Sequence, residues 1–271
     1  MRNTDLREKY WSHRLAARML TGLAENKLNS GYYAACAGLQ AQSRALDLVA
    51  NNLANINTTG YRSQQPLFRS FLTDSLAGSG DPLNRAINNF SLLGGSRLDL
   101  SAGNLDRTGN SLDLAIEGSG FFAVQTQGGV LYTRNGNFQV SPTGRLTTNA
   151  GDPLLGEQGP ITIPGGAISI SPDGTLSSDG AVVDKLRVVQ FTSASAPAAI
   201  GNSYYSVPQK DVRPAPDSYV RQGMLESSNV NSVAAVAELI TIQRKAEMLE
   251  RAMSAFQSNL DHIAASDLSH V

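Results

Sequence analysis

Cysteine is nearly missing from this chain. Cys36 stands alone among 271 residues, which excludes an internal disulfide framework and any zinc or iron–sulfur site that needs two or more thiolates. Histidine is scarce and kept to the ends: His13, His262 and His270 leave none between residues 14 and 261. Ser/His/Asp hydrolysis, Cys/His hydrolysis and His-ligated metal catalysis are therefore excluded from the middle, where only carboxylate, Lys, Ser or Tyr chemistry is left. Neither sign of charge dominates. Lys and Arg total 22 against 23 Asp and Glu, a net charge of -1, so composition supplies no electrostatic reason for a nucleic acid or an anionic membrane as partner. Long apolar runs are absent as well. The most apolar early stretch, residues 15–23, is interrupted by Arg18, Thr21 and Gly22, short of the ~20 apolar residues that span a bilayer. It also makes a poor signal-peptide core and lacks a small-residue cleavage site. What remains is 41% hydrophobic and 17% charged, enough to bury a core.

Periodicity predicts helix at both ends and strand between. Tyr32, Leu39, Leu46 and Leu53 recur every seven residues, and Ala35, Gln42, Val49 and Ile56 form a second row offset by three, the pattern of a heptad seam. This helix should stop near Asn57–Gly60, where two Thr precede a Gly suited to a left-handed cap. Near the other end Leu239, Ile242, Ala246, Leu249, Met253, Phe256, Leu260 and Ile263 alternate spacings of three and four, with Asn231 or Ser232 as N-cap. Each helix needs a partner for its stripe: the other helix in an intramolecular hairpin, or another chain. From about residue 91 to 225, runs such as 112–117, 121–125, 130–133 and 186–192 are broken by turn signals every ~8 to 12 residues, which predicts an antiparallel β domain. Gly128–Gly129 reads as a two-residue hairpin turn, and Gly136, Gly151, Gly165 and Gly166 as positions for positive φ. Ser141-Pro-Thr-Gly144-Arg-Leu146 returns as Ser171-Pro-Asp-Gly174-Thr-Leu176, each copy a type I turn leading into a new strand. Stretches 61–90 and 209–221, with Pro82, Pro214 and Pro216, read as linkers or extended arms.

Asn51, Asn52 and Asn55 crowd the end of the first helix, and Asn229 and Asn231 precede the second. Asn is a weak helix former, so these amides must hydrogen-bond either local backbone or another subunit. The blocks that contain them, Ala50-Asn-Asn-Leu-Ala-Asn-Ile-Asn-Thr-Thr-Gly-Tyr-Arg62 and Gly223 to Val233 leading into Leu239-Ile-Thr-Ile-Gln-Arg244, flank two others, Asp113 to Phe122 and Tyr132-Thr-Arg-Asn-Gly-Asn-Phe138. In this order, over residues 30 to 263, the chain resembles the flagellar basal-body rod and hook proteins of the axial family. Its length is closest to the proximal-rod and distal-rod types, and the 132–176 region favours the proximal.

The resemblance implies a structural subunit with no cofactor and no catalytic or metal site, neither bound to nucleic acid nor inserted in a membrane. It implies passage through the flagellar type III export apparatus without a cleaved signal peptide, and polymerisation in the periplasm with itself and other rod subunits. The expected fold is mainly β with terminal α: a central antiparallel β domain flanked by heptad helices that pack as a coiled coil on assembly. The layout is an N-terminal extension (1–29), an assembly helix (30–60), an arm (61–90), the β domain (91–225), a second assembly helix (226–266) and a tail (267–271). Candidate assembly residues are Leu39, Leu46, Val49, Leu53 and Ile56 with Asn51, Asn52 and Asn55 on the first helix. On the second side they are Asn229 and Asn231 with Leu239, Ile242, Leu249, Met253, Phe256 and Leu260. Ala246 stands where the family often has an aromatic. Two rivals come from other classes. A carboxylate enzyme would draw on Asp113, Glu117, Asp152, Glu157, Asp173 or Asp179, but most sit in turns, and Asp113 and Glu117 would lie ~13 Å apart on a strand. A carbohydrate-binding module would need Phe121, Phe122, Tyr132, Tyr204 and Tyr205 as an exposed platform, although neighbours in a strand face opposite ways.

Overall fold

The computed structural model describes residues 35–69, 92–192, 195–201 and 203–268. The N-terminal extension, most of the 61–90 arm, the end of the tail and the side chains of Leu260 and Ile263 lie outside the described residues. Two compact units share the chain. One takes Met1–Asp47, Pro66–Gly95 and Glu238–Val271, the other Leu48–Gln65 and Ser96–Ala237.

Helix α1 runs over 35–54 and helix α2 over Ser232–Leu268. Between them lie β1 (Gln64–Arg69), β2 (Leu92–Leu98), β3 (Leu105–Arg107), β4 (Leu114–Glu117), β5 (Phe121–Thr126) and β6 (Gly129–Thr133). Next come β7 (Phe138–Val140), β8 (Leu146–Thr148), β9 (Ile168–Ile170), β10 (Thr175–Ser178), β11 (Ala181–Lys185) and β12 (Val188–Phe191). The last are β13 (Ala198–Ala199), β14 (Tyr204–Ser206), β15 (Val212–Pro214), β16 (Tyr219–Gln222) and β17 (Met224–Glu226). A six-stranded antiparallel sheet, ordered β13-β14-β6-β5-β12-β15, is the centre of the second unit.

That sheet is buried on both faces, which explains why its strands carry adjacent aromatics. Phe122 and Val124 face a core with Leu114, Ile116, Phe138, Leu146, Leu154 and Tyr204, while Phe121, Ala123, Tyr132 and Tyr205 face a second with Leu155 and Val189. Phe122 meets Phe138 edge-on at 5.2 Å and Phe121 stacks on Phe191 at 4.4 Å, geometries that add to the area buried. All five aromatics of the imagined carbohydrate platform are at most 7% exposed. They form the core, and that rival reading falls.

Local chemistry accounts for the turns. Both Ser-Pro-x-Gly copies close as read: Gly144 N–H donates to Ser141 O and Gly174 N–H to Ser171 O, at 2.8 and 2.9 Å, with φ of 78° and 86°. Each starts a hairpin return, β7 to β8 and β9 to β10. The β5–β6 turn is offset by one from the expected place. Thr126 pairs with Gly129, so Gln127 and Gly128 form the loop and Gly129, at φ 118°, starts the strand. The supposed arms also hold strands. Gln64–Arg69 pairs with β2, and within 209–221 the strands β15 and β16 pair with β12 and β4. Pro214, read as part of an arm, lies on β15 at the end of the sheet, and proline is tolerated on an edge strand, where one side of the ladder is unpaired.

The helix ends follow from side-chain capping. α2 starts where Asn231 Oδ1 accepts the Ala234 N–H at 3.0 Å, an N-cap as expected. α1 ends at 54, before the Asn57–Gly60 signal, because Asn55 diverts the turn: Thr58 N–H donates to Asn55 O and Thr58 Oγ1 to Asn55 Oδ1, both at 3.1 Å. Gly60 follows at φ 69°.

Gly136 is required for a reason other than φ. A Cβ there would sit 1.5 Å from the Leu114 carbonyl oxygen, whereas at Gly151, φ 88°, it would meet nothing. Gly136→Ala should therefore cost about 3 kcal/mol through forced movement of β4, and Gly151→Ala about 1 kcal/mol through backbone strain alone. Urea unfolding of the two variants checks the order.

Candidate functional site

Two places gather the residues singled out above. The first is a buried junction in the β-rich unit, where Arg62, Arg134 and Glu226 are at most 1% exposed. Glu226 Oε1 accepts Arg62 Nη2 at 2.7 Å and the Gly103 N–H at 2.8 Å, and Oε2 accepts Arg134 Nη1 at 2.9 Å. Arg134 also donates to the Ile116 and Gly118 carbonyls and lies 5.0 Å above the Phe121 ring, so it ties β4 to β17. Burial lowers its pKa to about 10, helped by the charge of Arg62 and opposed by Glu226. It stays a cation at neutral pH. Tyr205, whose hydroxyl accepts the Arg62 N–H at 3.0 Å, is pushed by burial to about 12 and stays neutral.

The approach of the chain to this junction depends on Gly60. Its N–H donates to Glu226 O at 2.7 Å, and a Cβ would lie 2.3 Å from the Arg134 backbone. The asparagines extend the same scaffold. Asn52 is buried, accepts the Gln64 N–H at 2.9 Å and donates to Gln64 O at 2.8 Å. Tyr61 OH shares its proton between Asn51 Oδ1 and Asn52 Oδ1 at 2.9 and 3.1 Å. Asn229 accepts the Ser63 N–H at 2.7 Å and donates to Asp99 O and Ser101 O. Bonding within the chain is seen directly: to nearby backbone from Asn55 and Asn231, and to backbone far along the chain from Asn229. Arg62, Arg134 and Glu226 were not among the candidates, although each was the charged residue in a block rich in Asn, Thr, Ser and Gly.

The second place is the helix pair. α1 buries Ala35, Gly38, Ala41, Ala45 and Val49, a stripe of small residues, so the close-contact face lies beside the heptad leucines. Leu39, Leu46, Leu53 and Ile56 are half-buried. On α2, Ile242 and Leu249 are buried and Leu239, Ala246, Met253 and Phe256 half-buried, the face that spacing predicts. A groove of about 580 Å³ runs between the helices, lined by Leu39, Gln42, Ser43 and Leu46 from α1 and Ile242, Gln243, Ala246, Glu247 and Glu250 from α2.

Five of the six acids proposed for catalysis are engaged structurally, and the sixth, Glu157, is exposed on the surface. Asp113 accepts from Asn110 and Asn137 side chains, Glu117 pairs with Arg221 at 2.7 Å, Asp152 accepts from Tyr204, and Asp173 and Asp179 hold turns through Thr175 and Ala167. Among the described residues no group of three or more His, Cys, Asp or Glu could hold a metal ion.

The β-domain boundary at 225 falls one residue before Glu226. A 91–225 fragment loses Glu226 and Arg62 together and leaves Arg134 buried without a carboxylate, so it should unfold at lower urea than a 48–237 fragment. In the full chain, Glu226→Ala strands two buried guanidiniums and should cost about 3–5 kcal/mol, measured by the same unfolding midpoint.

Comparison with known proteins bears on both places. The family of the flagella basal body rod protein matches residues 33–62, the flagellar hook protein FlgE/F/G D1 domain matches 115–182, and the flagellar basal body rod FlgEFG protein C-terminal family matches 221–266. Each matched region supplies one member of the ion junction. The rod protein FlgF of Caulobacter vibrioides is 37% identical over 78% of this chain and 86% of its own. FlgF of Escherichia coli is 34% identical over 78% and 88%, and FlgG of Buchnera aphidicola subsp. Acyrthosiphon pisum is 30% identical over 84% and 95%. The chain belongs to the FlgF/FlgG family of flagellar basal-body rod proteins, and it is a structural, non-enzymatic subunit that assembles with other subunits of the rod.

Proposed function

We propose that this subunit occupies the proximal rod, as the FlgF type, and polymerises through α1 and α2 into the periplasmic driveshaft that carries torque to hook and filament. The observation that carries the reading is the helix pair: α2 is 37 residues long, and its apolar stripe, together with the half-buried Leu39 and Leu46 of α1, borders an open groove. Helices that leave apolar surface unpaired in the single chain are completed by neighbours. The seam residues Leu239, Ile242, Leu249, Met253, Phe256 and Leu260 act in that assembly. The β-rich unit, with its own two cores, then forms an outer layer that does not depend on the polymer for its fold. The chain reaches its place through the flagellar type III export apparatus without a cleaved signal peptide, and its immediate partners are itself and the adjacent rod subunits. The FlgG-like distal position is the second reading, resting on the 30% identity shared with the Buchnera FlgG over 84% of the chain.

Deleting the gene in frame should abolish swimming, and electron microscopy of isolated basal bodies should show rods that stop short. Truncation near the inner membrane marks the proximal position and truncation near the outer end the distal one, while intact rods would overturn both. Leu249→Asp and Leu46→Asp should each leave the β-rich unit folded by circular dichroism yet block incorporation, because an unpaired charge in a dry seam costs several kcal/mol. Swimming cells carrying either variant would remove the helices from the mechanism.

A further inference from the structure

The groove between α1 and α2 is apolar along its floor and acceptor-rich along its rim. Leu39, Leu46, Ile242 and Ala246 provide the floor; Glu247 and Glu250 stand exposed at the edge. Gln42, the single polar position in the first heptad seam, has its Oε1 buried, with no hydrogen-bond partner among the described residues. Two exposed carboxylates on the rim of an apolar groove are matched by cationic donors carried on an apolar strip.

The same helix carries the complement on another side. Ile240 and Met248 are 45% and 61% exposed, and Arg244 and Arg251 are exposed between and beyond them. At 3.6 residues per turn these four fall within about 80° of the helix circumference, far from Ile242 and Leu249. They form an apolar strip studded with guanidiniums. None of Arg244, Arg251, Glu247 and Glu250 takes part in the ion pairs found among the described residues.

We propose that the groove between α1 and α2 receives the Ile240–Arg244–Met248–Arg251 face of α2 from a second copy of this chain, whose guanidiniums meet Glu247 and Glu250. Groove and face are different patches of one subunit, so each copy offers one of each and the contact repeats without closing on itself, which generates an open helical array. A helix fits such a groove by laying its apolar strip on the floor at the usual 8–10 Å between axes. The charge pairs then set register and partner more than affinity. This rests on the reading of the chain as a helix-assembled rod subunit and adds which surfaces meet.

The test uses two full-length variants with complementary reversals. One carries Glu247→Arg with Glu250→Arg, so that groove and face are both basic; the other carries Arg244→Glu with Arg251→Glu, so that both are acidic. All four sites are exposed, and circular dichroism with urea unfolding checks that both variants stay folded. By sedimentation velocity, each alone should self-associate at least tenfold more weakly than the unaltered chain. An equimolar mixture should recover association to within about threefold, since each groove again meets an opposite face. Unchanged association of either variant overturns the proposal, as does loss that mixing fails to restore. If self-association is unaffected while rods in cells carrying the variants stop short, the groove serves a different rod subunit. The second-copy assignment is then overturned while the rod reading stands. Intact rods in cells without the gene would instead overturn the rod reading itself.

Discussion

One carboxylate holds the β-rich unit together. Glu226 is the last residue of its final strand, and its two oxygens bind a guanidinium from the turn after α1, a guanidinium from the residue just past β6, and the backbone of Gly103. With two cations and one anion wholly out of water, the cluster is not a cheap source of stability. Its value is specificity. A buried charge has one satisfactory arrangement, and here that arrangement determines where the end of α1, strand β4 and strand β17 must sit. The family comparison gives this a further sense, since each matched region contributes one member.

The helix pair follows a different rule. Ala35, Gly38, Ala41 and Ala45 bury a face with almost no side-chain volume, which lets helix axes approach and moves the larger leucines to the flank. Packing of this kind spends little apolar surface on the intramolecular contact and leaves Leu39 and Leu46 for other use. The central sheet of the β-rich unit has no such reserve, since it has core on both faces and Phe121, Phe122, Tyr132, Tyr204 and Tyr205 are consumed internally.

What could be read in the sequence was whatever is decided locally. The Ser-Pro-x-Gly turns, the Asn231 cap and the 3-4 spacing of α2 all depend on residues within a turn or two of each other. Other features were set by partners far along the chain. Arg62 and Glu226 are 164 residues apart, and singly each resembles an ordinary surface charge. Gly136 was read as a residue for unusual φ, whereas the close approach of Leu114 decides it. β15 was masked by Pro214, which an edge strand tolerates. On α1 the second heptad row holds Ala35 and Val49, which are buried, while Gly38, Ala41 and Ala45 beside them leave little mark on a hydrophobic pattern.

The pairing of late strands with early ones also has a temporal side. β17 lies against β3 and β16 against β4, and the Arg134 guanidinium is uncompensated until Glu226 arrives. Contacts of such sequence separation are closed late and slowly. A chain emerging with its N-terminus first, from a ribosome or any narrow conduit, cannot complete this unit until more than four-fifths of its length is free. The strand order thus acts as a clock on when the emerging chain becomes solid.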